Sequence, residues 1–373
     1  MRKHHPNNVR IKRAYFMYLE QAKRMSPSSV DQVAAAIAQF EESTKFKDFR
    51  KFHIEQAIAF KKRLQSYCKP ETGRPLAKAT IHSRLMALKS FTVWLAGQPG
   101  YRARISYSDA EYFNLTANEE RIAKAARSRP VPSLDDIRTT IDAMPKQTVL
   151  ERRDRAVVAF TILSGMRDNA IASLSLKHID VERRSIFQDA REVRTKRAKT
   201  FNSWFFPIGH NFEKIVLDWI SEITALGYMP NDPLFPKTKI ERSVDRGFKA
   251  GGLSKEHWKS ADAIRKIFKK GFLSAGLDYY HPHSFRHTLA RFLESLPLTP
   301  EQWRACSQNF GHSSPMTTFT SYGSVQPHRQ EEIINKLADS SHVGVQASLP
   351  IVRLHDDQLQ HLLAQLRISD GRR

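Results

Sequence analysis

Four stretches of the chain carry side chains whose types and spacing suit work on a phosphate. In Ser164-Gly165-Met166-Arg167 an apolar helical pattern stops at a glycine and restarts after an arginine, a joint that can aim one guanidinium inward from a fixed backbone. The basic stretch REVRTKRAK lies between two strand-like segments and sets Lys196 and Lys199 on a turn, where an ammonium can reach a phosphate and hold a proton. His281-Pro282-His283-Ser284-Phe285-Arg286-His287 puts His283 and Arg286 three apart, on one face of a helix. The run from Gly311-His312 to Tyr322-Gly323 adds another imidazole and a phenol. Taken singly, each has a bland reading. An arginine after a helix-ending glycine is commonly a surface residue, a turn lysine is a solvated charge, and a lone tyrosine is a packing group. Three histidines within seven residues invite a metal, but no Cys, Asp or Glu lies in that cluster and Lys and Arg crowd it, so a cation would be repelled. A His beside an Arg suits an anionic phosphate better.

The elements that must position these groups are mostly helical. Ser29 with Gln32 has the form of a capping box, followed by Val30, Val33, Ile37 and Phe40 at helical spacing. Ala57, Phe60 and Leu64 form a second stripe. Ile81, Leu85, Leu88 and Leu95 form a third, from a cap at Thr80 to a stop at Gly97, Pro99 and Gly100. On that third helix Lys78, Arg84 and Lys89 are candidate phosphate contacts. Asn118 to Pro132 reads as a linker, closed by two prolines, and Ser133 with Asp136 as the next helix start. A helix over 154–164, strands over 184–187 and 203–208, and helical pattern from Phe212 and again over 262–293 follow. In the tail, Leu359, Leu362, Leu363 and Leu366 make an amphipathic stripe too short to fold alone.

Charge narrows the partner. The 373 residues hold 60 Lys and Arg against 38 Asp and Glu, a net +22. Residues 1–115 carry +12, residues 116–335 carry +9 and the remainder +1, so the surplus is not one tail. Such a balance points to a polyanion, with nucleic acid ahead of an anionic membrane surface. No apolar run approaches the ~20 residues that span a bilayer. The N-terminus lacks the apolar stretch of a secretory signal, and two cysteines make no disulfide framework, which reads as a cytoplasmic, nucleoid-associated protein.

Read in order, the arginine, the hairpin lysine, HxxR, GH and the tyrosine resemble the tyrosine recombinase (phage-type integrase) family. The wording of SGMRDNAIASLSLKHID, HPHSFRHTLARFL and GHSSPMTTFTSYG is similar to family segments. The resemblance implies a mainly α fold with a small β-sheet, arranged as a two-domain clamp: a helical core-binding domain and a mixed α/β catalytic domain. It implies a basic tail over 1–14, the core-binding domain over 15–115, a linker over 116–132, the catalytic domain over 133–335 and a subunit-contacting tail over 336–373. Arg167 and Arg286 match the family's arginines, Lys196 its hairpin lysine with Lys199 as the alternative, His283 the HxxR histidine, His312 the His-or-Trp position, and Tyr322 the nucleophile. Three departures stand out. Tyr322 lies ten positions after His312 where nine is common, Ala170 replaces a frequent glutamate, and two lysines share the turn.

The chemistry suits these residues independently of the resemblance. A phenol with an ordinary pKa of about 10 needs a base or a strongly positive site to attack phosphorus. Two guanidinium forks can hold the non-bridging oxygens as charge grows, the part a divalent metal would otherwise play. Lys196 would protonate the departing 5′-oxygen, with His283 as base or shuttle and His312 as donor to the phosphate. As the resemblance implies, the product would be a 3′-phosphotyrosine with a free 5′-hydroxyl; that linkage keeps the bond energy, so no ATP is needed, and no GxxxxGK[ST] stretch is present. The expectation is a site-specific recombinase for a mobile element, with no metal and no cofactor. Its partner would be double-stranded DNA, held as a homotetramer on two sites during synapsis and as a monomer or dimer when free. A type IB topoisomerase-like enzyme and a non-catalytic DNA-binding regulator are the rivals.

Overall fold

Short polar caps and prolines decide where this chain turns helical, and they act from its sixth residue. The computed structural model describes residues 4–68, 73–125, 130–242, 248–312, 330, 331 and 335. By contacts the chain divides into two compact units, Met1–Arg127 and Ser128–Arg373.

The first unit holds α1 (Pro6–Gln21), α2 (Pro27–Ser43), α3 (Ile54–Ser66), α4 (Lys78–Ala96) and α5 (Ala117–Lys124). The three apolar stripes read from the sequence supply its core: Val30, Ile37 and Phe40, then Ala57, Phe60 and Leu64, then Ile81, Leu85, Leu88 and Leu95 are all buried together. Four features differ from expectation. The segment 1–14 is not simply a tail, because α1 starts at Pro6, where proline's fixed φ suits a first helical turn. Buried Asn8 then ties α1 down, donating to Glu41 at 3.0 Å and to the Lys47 carbonyl at 2.8 Å. The cap of α2 is Ser26, not Ser29, and α4 opens at Lys78 rather than beyond Thr80. The segment 116–132 contains a helix: Thr116 and Glu119 form a capping box that starts α5.

The second unit holds α6 (Leu134–Ala143), α7 (Val149–Ser164), α8 (Asp168–Ile171), α9 (His210–Ala225), α10 (Asp262–Ser274), α11 (Ser284–Glu294) and α12 (Pro300–Asn309). Ser133 and Asp136 cap α6 as read, whereas α7 begins five residues before the expected Asp154, at a box of Thr148 and Glu151. A three-stranded antiparallel sheet joins β1 (Ile179–Asp180), β2 (Ser185–Gln188) and β3 (Phe201–Trp204), with Ser185 opposite Trp204 and Gln188 opposite Phe201. β3 stops short of the expected residue 208 because Phe206 turns away and gives its N–H to the Leu163 carbonyl at the end of α7. A second antiparallel pair, β4 (Thr238–Arg242) and β5 (Phe248–Leu253), was not expected. β4 is polar with Ile240 65% exposed, and β5 holds two adjacent glycines, so no apolar alternation announces the pair. The helical pattern over 262–293 is two helices, parted where Gly276 takes a φ of 69° ahead of Pro282. Around α7, which is buried on nearly every side, packs an apolar core that includes Phe160, Phe206, Phe285, Leu289 and Phe310.

Candidate active site

The end of α7 is built to turn without a side chain. Gly165 closes the helix in the left-handed region, φ 61°, and a Cβ there would meet Phe206, Leu289 and Phe310 at 2.9 to 3.1 Å. Ser164 steadies the turn, donating to the Phe160 carbonyl at 2.6 Å while accepting from the Met166 N–H at 3.2 Å. The chain leaves this joint with Arg167 as the residue before α8. The short α8 is held from two directions, by Arg265 on Asp168 at 3.0 Å and by Arg194 on Asn169 at 3.0 Å.

Arg286 enters from the first turn of α11 and is 2% exposed. Its guanidinium donates to the Gly165 carbonyl and, at 2.8 Å, to the Phe310 carbonyl; it lies 3.1 Å from His312 Nε2 and 4.8 Å over the Phe310 ring. These carbonyls and the ring face help to hold a buried cation in place. Gly311 (φ 72°) makes the next connection possible, since a Cβ there would meet the Phe201 ring of β3 at 2.5 Å. His312 follows directly.

Lys196 comes from the loop between β2 and β3, on a tight turn over Lys196–Ala198 in which Arg197 and Ala198 take positive φ. Arg167, Thr195, Lys196 and Arg286 line one small hollow, with Gln188 and Phe201 as its wall. Lys199 is not among its lining residues, though both lysines bear electrostatically on His312. The Thr195 hydroxyl is buried there with no hydrogen-bond partner among the described residues.

The positive field shows in the histidines. His283 keeps contact with solvent, yet desolvation by the packing around its ring, then Arg286, His287, Arg167 and His281, hold it down to about 3. Desolvation, then Arg286, Arg167, Lys199 and Lys196, hold His312 down to about 4. Both are therefore neutral near neutrality, each with an uncharged ring nitrogen with which to accept or relay a proton. In the orientation found, Arg286 donates to His312 Nε2, which leaves the ring proton on Nδ1.

The structure thus brings Arg167, Lys196 and Arg286 to one hollow, with His283 and His312 within their field. Tyr322 lies outside the described residues, as does the tail with its leucine stripe. Thr195, Gln188, Asn169 and Arg194 were missed by sequence reasoning, because Arg194 and Thr195 sit inside a basic run and isolated polar residues such as Gln188 and Asn169 carry no periodic signal. Among the described residues no three His, Cys, Asp or Glu side chains group as metal ligands would, and no helix is long and apolar enough to cross a membrane.

In the first unit the three candidate DNA contacts separate. Lys78 lies 3.8 Å from Glu119, and Lys89 reaches Glu111 at 2.9 Å and Asn114 at 3.1 Å. Their positions, eleven residues apart, fall within about 20° on the α4 wheel, whereas Arg84 lies about 120° away. Arg84 lines a groove between α1, α2 and α4 with Tyr18, Ser29 and Trp94. Lys78 and Lys89 therefore brace α5 and the turn before it, and they do not form one free stripe with Arg84.

A model of the phage integrase family matches residues 133–329, more than half of the chain. The tyrosine recombinase XerC of Escherichia coli (strain K12 / DH10B) is 24% identical over 310 residues, which cover 82% of this chain and 88% of XerC. Two solved structures share the fold. A lambda integrase (75–356) dimer bound to a COC′ core site has a TM-score of 0.57 at 11% identity, covering 86% of this chain and 99% of that one. XerH site-specific recombinase bound to a palindromic difH substrate, in a post-cleavage complex, has a TM-score of 0.56 at 17% identity, covering 86% and 82%.

Proposed function

The chain belongs to the phage integrase family of tyrosine recombinases, and from that premise we propose that it cuts and rejoins double-stranded DNA through a 3′-phosphotyrosine formed by Tyr322. The observation that carries this reading is the convergence of Arg167, Lys196 and Arg286 on one hollow, with Arg286 held there by the Gly165 and Phe310 carbonyls. A phosphate seated there accepts from both guanidiniums, which stabilise the extra charge on its non-bridging oxygens as the phenolate attacks in line. The Tyr322 oxygen–phosphorus bond forms as the bond to the 5′-oxygen breaks. Lys196 gives that oxygen its proton, and neutral His283 takes the phenolic proton. His312 fixes the Arg286 fork and offers Nδ1–H toward the phosphate. Attack by a 5′-hydroxyl from a partner duplex reverses the chemistry and completes an exchange, with four copies on two sites. We assign the enzyme to a mobile element.

The test is Tyr322→Phe on DNA flanking the encoding gene. Wild type is expected to leave a protein–DNA adduct whose junction maps to one site, and the variant to bind that DNA without forming the adduct. An adduct with Tyr322→Phe would end the assignment, and resealing without exchange between two duplexes would favour topoisomerase-like action.

A further inference from the structure

Ala170 brings no polar side chain to α8, and side chains from other segments hold the helix. Arg194 does most of this. Its Nε donates to Asn169 Oδ1 at 3.0 Å, its Nη2 to the Trp258 carbonyl at 2.7 Å, and its backbone N–H to Ser173 Oγ at 2.9 Å. Ser173 Oγ passes the tie on to the Ala170 carbonyl at 3.0 Å. The Trp258 anchor is firm: its ring is buried under the Arg153 guanidinium at 5.3 Å, and Arg153 is bonded to the Pro236 carbonyl at 2.8 Å. Two residues after Arg194, Lys196 is exposed and enters a turn with left-handed backbone. Upstream, Glu192 is tied to His178 at 3.0 Å and to Lys177 at 2.7 Å. Arg194 is therefore the last side-chain tie before the lysine, and its partner sits two residues from Arg167.

We propose that Arg194 is a positioning residue that locks the Lys196 loop to α8, holding the proton donor in register with the arginine that binds the phosphate. This rests on the reading of Lys196 as proton donor. A donor displaced by about 1 Å loses on the order of a hundredfold in rate. In the step concerned, the departing 5′-oxygen needs a proton as its bond to phosphorus breaks, whereas a sulfur in that place departs as a stable thiolate and needs none.

The experiment is single-turnover cleavage by the full-length protein on a nicked duplex spanning the mapped junction, with oxygen or sulfur at the 5′-bridging position. Arg194→Ala is expected to slow cleavage of the oxygen substrate by ~10- to 100-fold and of the sulfur substrate by less than about threefold. The same selective rescue is expected for Lys196→Ala. Asn169→Ala, which removes only one acceptor, should show it more weakly and guards against misfolding of the arginine variant. Equal slowing on both substrates, or none on either, in both the Arg194 and Asn169 variants would overturn the inference while rescued Lys196→Ala left the donor reading intact. An unrescued Lys196→Ala would remove the donor reading and this inference with it.

Discussion

Gly165→Ala probes how the two arginines are held. Gly165 has φ 61°, and its added Cβ would meet Phe206 at 2.9 Å, Leu289 at 3.0 Å and Phe310 at 3.1 Å. Left-handed backbone costs an L-residue about 1–2 kcal/mol. Overpacking a filled core costs about 1–3 kcal/mol more. The sum is ~2–5 kcal/mol of lost stability. Gly276 supplies the internal reference: it too follows a helix end, its φ is 69°, and no heavy atom lies within 4 Å of its Cβ position. Gly276→Ala should therefore carry the backbone penalty alone, about 1–2 kcal/mol. Urea unfolding of both full-length variants measures the difference directly. Because the Gly165 carbonyl accepts from Arg286, whatever relieves the clash also moves that guanidinium, so Gly165→Ala should cleave DNA more slowly than Gly276→Ala where both are folded. Equal stabilities of the two variants would refute the tight cradle, and with it the account of how Arg286 is aimed.

Other perturbations separate the roles further. Arg286→Lys keeps the charge but loses the fork that reaches the Gly165 and Phe310 carbonyls, and cleavage should fall by ~10²- to 10³-fold in a gel assay. Lys196→Ala should slow cleavage by ~10²-fold or more, while Lys199→Ala, off the hollow, should stay within about tenfold; a reversed order would exchange their roles. The histidines give a pH signature. Their folded values, about 3 for His283 and about 4 for His312, lie below the unfolded histidine value of about 6.5. As pH falls through about 6.5 the unfolded chain takes up protons that the folded chain does not, so stability declines with acid toward those folded values. The cleavage rate, measured on protein that remains folded, should show no inflection near pH 6.5 from these two groups, and an inflection removed by His283→Gln would contradict their neutrality.

Local pattern determined a good deal of this protein. Apolar residues at helical spacing named the buried faces of α2, α3 and α4, because each of these helices buries one stripe and the stripe repeats in the chain. Ser133 with Asp136 marked the start of α6, since both halves of a capping box lie within one turn. The order of arginine, lysine, HxxR, GH and tyrosine sufficed to suggest the family that the match over 133–329 then established. Tertiary structure decided what pattern leaves open. The acceptors that aim Arg286 are backbone carbonyls 121 and 24 residues away, and a carbonyl is the same in every residue. Arg194 looked like one charge in a basic run until Asn169 and Trp258 were folded against it. Lys78 and Lys89 have carboxylate neighbours on their own unit that the sequence spacing did not announce. Periodicity records which face of an element is buried, whereas the partner of a polar group is chosen by distance in space, which the spacing of residues along a chain does not encode.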